Sequence, residues 1–200
     1  MEAHAHAEAH RHGPPPANVS SRIDARVLGM LLFIGSEIML FGSFFTAYFF
    51  VRVVNHDPWP AKGDHLPVFV AGINTAILVT SSVTMHWALT SIKRGNRAGL
   101  RAGLALTFLM GLTFLLTQIT EYARIGFAPH DNAFATIFFS LTGLHGAHVF
   151  VGLTLLLFAT IRAFRGHFSP EHHHGVEIPG IYWHFVDVMW IVVYTTVYIL

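Results

Sequence analysis

Glu37, His86, His145, His148, His184 and Asp187 are ionisable residues that stand inside long apolar stretches of this chain. An ionisable group at that depth of a membrane costs at least a few kcal/mol, so each should face the protein interior and have a partner or a task. Glu37 sits in Gly35-Ser36-Glu37-Ile38-Met39. It is suited to relay a proton, to hold a buried hydrogen bond or to meet a lipid head group. His184 and Asp187 are one helical turn apart, a spacing that sets two side chains on one helix face. A structural hydrogen-bonded pair is the simpler reading of them, ahead of a catalytic one. His145 and His148 have the same spacing, and Gly143, Gly146 and Gly152 on that stretch suggest close helix packing. Glu121 closes the run Gln118-Ile119-Thr120-Glu121-Tyr122. Glu121, His145, His184 and Asp187 are therefore read together as structural polar groups.

The elements that must position these residues follow from hydropathy. Hydrophobic side chains make up 53% of the 200 residues and charged ones only 12%, where a soluble domain carries roughly a quarter charged. The apolar residues gather into five blocks, 27–51, 66–89, 102–122, 133–161 and 178–200. Each is long enough for a helix to cross a hydrocarbon core of about 30 Å. Backbone groups in lipid find no water, so such blocks must be helices. The expected fold is an all-α bundle of five transmembrane helices, with 27–200 as its membrane domain.

Residues 1–26 read as a disordered His/Pro-rich tail, interrupted by Pro14-Pro15-Pro16. Its histidines (His4, His6, His10, His12) are better read as solvated than as a metal site. No signal peptide is visible. Nine of the twelve lysines and arginines fall on one side of the expected topology; Arg52, Lys62 and Arg124 fall on the other. That bias sets the N-terminus in the cytoplasm and the C-terminus outside.

The chain has no cysteine, which excludes disulfides, iron–sulfur clusters and any dinuclear copper site built on thiolates. No metal site is expected on the chain. A net charge of +1 without a basic patch points to no nucleic acid. A membrane cytochrome is the rival of a different class. It needs paired histidines on two helices at one depth, and only His86 with His184 fits. A transporter is the second rival, although no internal repeat or broken helix signals it.

Several stretches together resemble subunit III of the haem-copper oxidases, over roughly residues 27–200. They are Ser36-Glu37 with Phe41, Phe44-Phe45 and Tyr48; Asn74-Thr75 with Ser81-Ser82; and Gln118 to Glu121-Tyr122. Phe138-Phe139, Thr142-Gly143-x-His145-Gly146-x-His148-Val149, Glu177 and Tyr182-Trp183-His184-Phe185-Val186-Asp187-Val188-x-Trp190 follow in the same order. The resemblance implies a subunit without a redox or catalytic centre, packed beside catalytic subunit I and subunit II, which carry the haem and copper. Such a subunit binds structural phospholipids and sustains proton uptake and catalytic lifetime in a bacterial cytoplasmic membrane. Carried over to this chain, the lipid contacts are Glu37 and His148 within the bundle. Arg162, Arg165, His167, His172 and Glu177 serve at the cytoplasmic edge.

The long family form has two further helices before the glutamate-bearing one, and this chain resembles the five-helix bacterial form. That form is also similar to subunits of quinol oxidases and of nitric-oxide-reductase-associated homologues. The Glu37 and Tyr-Trp-His-Phe-Val-Asp features look closer to the cytochrome c branch. The two missing helices wall the family's lipid cleft, so a second wall here is expected from another chain.

Overall fold

The computed structural model describes residues 24–55, 58–60, 66–170 and 172–200. Most of the tail expected to be disordered, residues 1–23, lies outside the described residues. Five helices follow one another: α1 (Ala25–Val54), α2 (Val68–Lys93), α3 (Arg97–Arg124), α4 (Ala133–Phe164) and α5 (His174–Tyr194). A π-helical turn, Thr195–Ile199, continues α5. All five are long and apolar enough to cross a membrane, and no strand occurs among the described residues. The all-α, five-span expectation holds.

The helices overrun the apolar blocks, because hydropathy marks where lipid lies and backbone hydrogen bonding continues into the polar turns beyond it. The largest difference separates α2 from α3. A connection over 90–101 was expected, and only Arg94, Gly95 and Asn96 turn the chain. Gly95 supplies the left-handed conformation (φ 78°), which glycine adopts without a Cβ clash. The Asn96 side chain then accepts from Gly99 N and caps α3. Likewise α5 begins at His174 rather than at 178, which brings Glu177 into its first turn and Pro179 inside the helix.

Helices α2, α3, α4 and α5 form a closed ring of neighbours, and α1 lies outside it against α4 and α5. Small residues set the close approaches. A Cβ at Gly103 would stand 2.7 Å from the Ala88 Cβ, so α2 and α3 meet almost backbone to backbone. The Trp183 ring of α5 occupies a slot between α3 and α4, facing Gly111 and Gly152. Its Nε1 donates to Ser81 Oγ of α2 at 2.9 Å. Gly152 thus meets the packing expectation, whereas Gly143 and Gly146 face open space. Only Phe41 and Tyr48 are buried on α1, so this helix presents apolar side chains outward along most of its length.

Candidate lipid-binding site

The start of α1, the end of α4 and the start of α5 meet at one end of the bundle and enclose a cleft of about 620 Å³. Its polar side comprises Arg26, Arg162, His167, His172 and His174, while Leu155, Phe158 and Ile178 extend it into the apolar span. Local folding positions these groups. Arg162 lies in the last turn of α4, which ends at Phe164, and Gly166 (φ 76°) redirects the chain. His167 N then donates back to Arg162 O at 3.1 Å. Phe168 is buried, and the Arg162 guanidinium lies over its ring at 5.4 Å. That stacking fixes the cation at the mouth of the cleft.

The neighbouring ion pairs close the same end. His174 Nδ1 lies 3.2 Å from Glu177 and its Nε2 lies 3.7 Å from Asp24. Lys93 Nζ stands 3.7 Å from Glu177. Glu177 therefore ties α5 to α2 and does not line the cleft. Arg165 caps α4 with its side chain exposed, also outside the cleft. Of the expected edge residues, Arg162, His167 and His172 converge there. Arg26 and His174 join them, although the sequence reading did not single them out. The signal for Arg26 was its place as the second residue of α1, whose start shares an end of the bundle with the last turn of α4.

Glu37 and His148 lie elsewhere. His148 Nε2 is 2.8 Å from Glu37 Oε2, and both side chains are almost enclosed. His148 Nδ1 stands 2.7 Å from Leu144 O. A carbonyl only accepts, so Nδ1 carries a proton. One further proton is then shared between Nε2 and the Glu37 carboxyl, giving either an ion pair or two neutral partners. Thirteen residues separate Asp24 from Glu37, about 20 Å of helix. The residues expected to contact lipid thus separate into a terminal cleft, an inter-helix latch joining α1 to α4, and Arg165 and Glu177, which belong to neither.

The expected polar group also divides. Ser82 Oγ of α2 donates to Asp187 Oδ2 and meets His184 Nδ1 at 2.9 Å, so one hydroxyl joins both acid and imidazole. His145 is wholly buried, its ring 4.8 Å from Trp190 and 5.8 Å from Phe114. Neither of its nitrogens has a hydrogen-bond partner among the described residues. Glu121 is half-buried near the far end of α3, within electrostatic range of Tyr198. Among the described residues, no three His, Cys, Asp or Glu side chains converge as a metal would require.

Comparison with known proteins identifies the family of this chain. Residues 7–200 match the family described as "Cytochrome c oxidase subunit III". The chain is 43% identical over 178 residues to "Cytochrome c oxidase subunit 3" of Thermostichus vulcanus, covering 88% of each. It is 40% identical to the protein of that name from Synechocystis sp., covering all of this chain and 80% of the relative. The Oryctolagus cuniculus protein of the same name is 39% identical, over 85% of this chain and 67% of its own length. With its five spans and these relatives, the chain belongs to the cytochrome c oxidase subunit III family.

Proposed function

We propose that this chain is the non-catalytic subunit III of a haem-copper terminal oxidase, most closely a cytochrome c oxidase. It holds phospholipid at its terminal cleft and supports proton uptake and durability of the catalytic subunit. The observation that carries the lipid reading is the convergence of Arg26, Arg162, His167 and His172 on a cleft whose depth is apolar. A phosphate group suits the stacked guanidinium, which offers paired N–H donors. An acyl chain suits the Leu155, Phe158 and Ile178 wall. Basic residues near an anionic membrane surface contribute about 1 kcal/mol each.

On this reading the arginine-rich end faces the cytoplasm, the C-terminus lies outside and the membrane is the bacterial cytoplasmic one. Haem and copper belong to subunits I and II, and this chain positions lipid and protein beside them. Mass spectrometry of the complex purified in mild detergent tests the reading. Oxidase subunits and phospholipid should co-purify with the chain. A visible spectrum of the chain purified alone separates it from a cytochrome: a Soret band that disappears in His184→Ala would overturn the assignment.

A further inference from the structure

Helix α1 is seated against the bundle from Met30 inward, where Met30 and Ile34 pack on the core and Phe33 meets Tyr182 at 6.2 Å. Residues 24–29 lie beyond that seat. Asp24, Arg26, Leu28 and Gly29 are exposed, and a Cβ on Gly29 would meet nothing within 4 Å. A helix end with so little packing opens at low cost. Yet this segment carries Arg26, one of the two arginines that line the terminal cleft. Whatever holds the start of α1 therefore decides whether Arg26 reaches the cleft.

Asp24 divides its two oxygens. Oδ1 accepts from Arg26 N at 2.7 Å and caps α1, while Oδ2 stands 3.7 Å from His174 Nε2 on α5. The other ring nitrogen of His174, Nδ1, lies 3.2 Å from Glu177 Oε2. One imidazole thus stands between two carboxylates. A neutral ring has one N–H and one lone pair, so whichever nitrogen holds the proton, the other turns a lone pair toward an acid. The imidazolium suits both. The two acids differ in what remains to them when the ring is neutral. Glu177 keeps Lys93, 3.7 Å away on α2. Among the described residues, Asp24 has no ion pair other than the one with His174.

Charged groups reach this ring from each neighbouring element. Asp24 and Arg26 belong to α1, Arg162 to the end of α4, Glu177 to α5 and Lys93 to α2. The His173 ring stacks on His174 at 5.8 Å, and His167 and His172 share the cleft. The arginines repel an imidazolium here, and the two contacting carboxylates attract it. Imidazole changes its charge between about pH 5 and 8. The tie to Asp24 is therefore present in acid and lost as the pH rises through that range.

We propose that His174 is a pH-dependent clasp on the terminal cleft: its imidazolium ties Asp24, seats the start of α1 and brings Arg26 onto a bound phosphate head group. At alkaline pH the clasp opens, Arg26 withdraws and phospholipid exchanges more readily. This rests on the lipid reading of the cleft and adds its regulation. Two measurements on the intact complex test it. Phosphorus analysis after detergent washing at about pH 6 and about pH 8.5 gives the phospholipid retained. The chain has no cysteine, so Ala159→Cys, on the cleft wall and 3% exposed, reports opening by its rate of labelling with a charged maleimide. Mass spectrometry resolves that adduct on this chain, and variants are compared at one pH at a time because the thiol itself titrates.

In acid, His174→Gln should retain less phospholipid and label faster than wild type, by up to about fivefold, the effect of one partly exposed ion pair. At alkaline pH it should match wild type. His174→Lys, charged throughout, should stay closed at both. His167→Gln and His172→Gln line the cleft without pairing with Asp24 and should keep the wild-type response to pH. Wild type and His174→Gln behaving alike in acid, or a pH response lost with His167 or His172 instead, would overturn the clasp. If no phospholipid stays on the wild-type complex at either pH, the lipid reading fails, and the labelling rates alone decide whether the clasp exists.

Discussion

The Trp183 ring fills the place where a side chain at position 111 would begin: a Cβ on Gly111 would stand 2.4 Å from the indole. The same ring approaches Gly152 from the other side, at 2.9 Å from an added Cβ, and hydrogen-bonds Ser81. One side chain of α5 therefore contacts α2, α3 and α4 together. Gly111→Ala must displace the ring or spread the helices, an overpacking that costs about 1–3 kcal/mol. Thermal unfolding of the purified complex should show the loss, with Gly143→Ala unaffected because nothing lies within 4 Å of its added Cβ. Equal melting of the two variants would contradict the slot.

The bridge from His184 through Ser82 to Asp187 gives a second expectation. Ser82→Ala strips the enclosed carboxylate of its donor, and an unsatisfied buried group costs about 1–3 kcal/mol. Asp187→Asn alters the same bridge. Both variants should reduce the amount of this chain found in the complex more than they reduce turnover per assembled complex. Quantifying subunits alongside oxygen consumption checks this, and normal assembly with abolished oxygen reduction would assign Asp187 a part in the chemistry instead.

At the latch, Glu37→Gln retains a partner for His148, because the amide can donate to Nε2 while Nδ1 still donates to Leu144 O. Initial oxygen reduction and pumping should be nearly unchanged. Removing the whole subunit should slow proton uptake at high pH and shorten the number of turnovers before failure. Oxygen consumption followed over time decides. A Glu37→Gln complex that fails to pump from its first turnover would make the residue a proton carrier.

For the terminal cleft, Arg162→Ala removes the stacked guanidinium and should release about one phospholipid per complex, as basic contacts are worth about 1 kcal/mol each at such a surface. Phosphorus analysis of the purified complex measures it. Arg165→Ala serves as the comparison, since that side chain does not line the cleft. Equal phosphorus content in both variants would remove the lipid from Arg162.

How much of this was legible beforehand depends on range. The five spans could be read directly, since apolar length is a local property and lipid forces such segments into helices. The polar ends of α2 and α3 escaped, because Thr90 to Arg101 is hydrophilic yet well capped. The pairing of Glu37 with His148 spans 111 residues in sequence and depends on the register of α1 against α4, which hydropathy does not encode. His145 and His148 show the same limit at short range. They stand one turn apart on α4, yet one meets a carboxylate and the other an aromatic enclosure. Ser82 looked like one hydroxyl among several, and only the approach of α5 makes it a bridge.

The three-residue turn between α2 and α3 bears on how the bundle comes together. Its closure restricts few backbone bonds, and Gly99 and Gly103 let the two helices seat as soon as both exist. This hairpin should enter the bilayer as one unit while the ribosome is still making α4. Helix α5 cannot seat until α3 and α4 have framed the slot for Trp183, so a span made after the other four is the one that locks them.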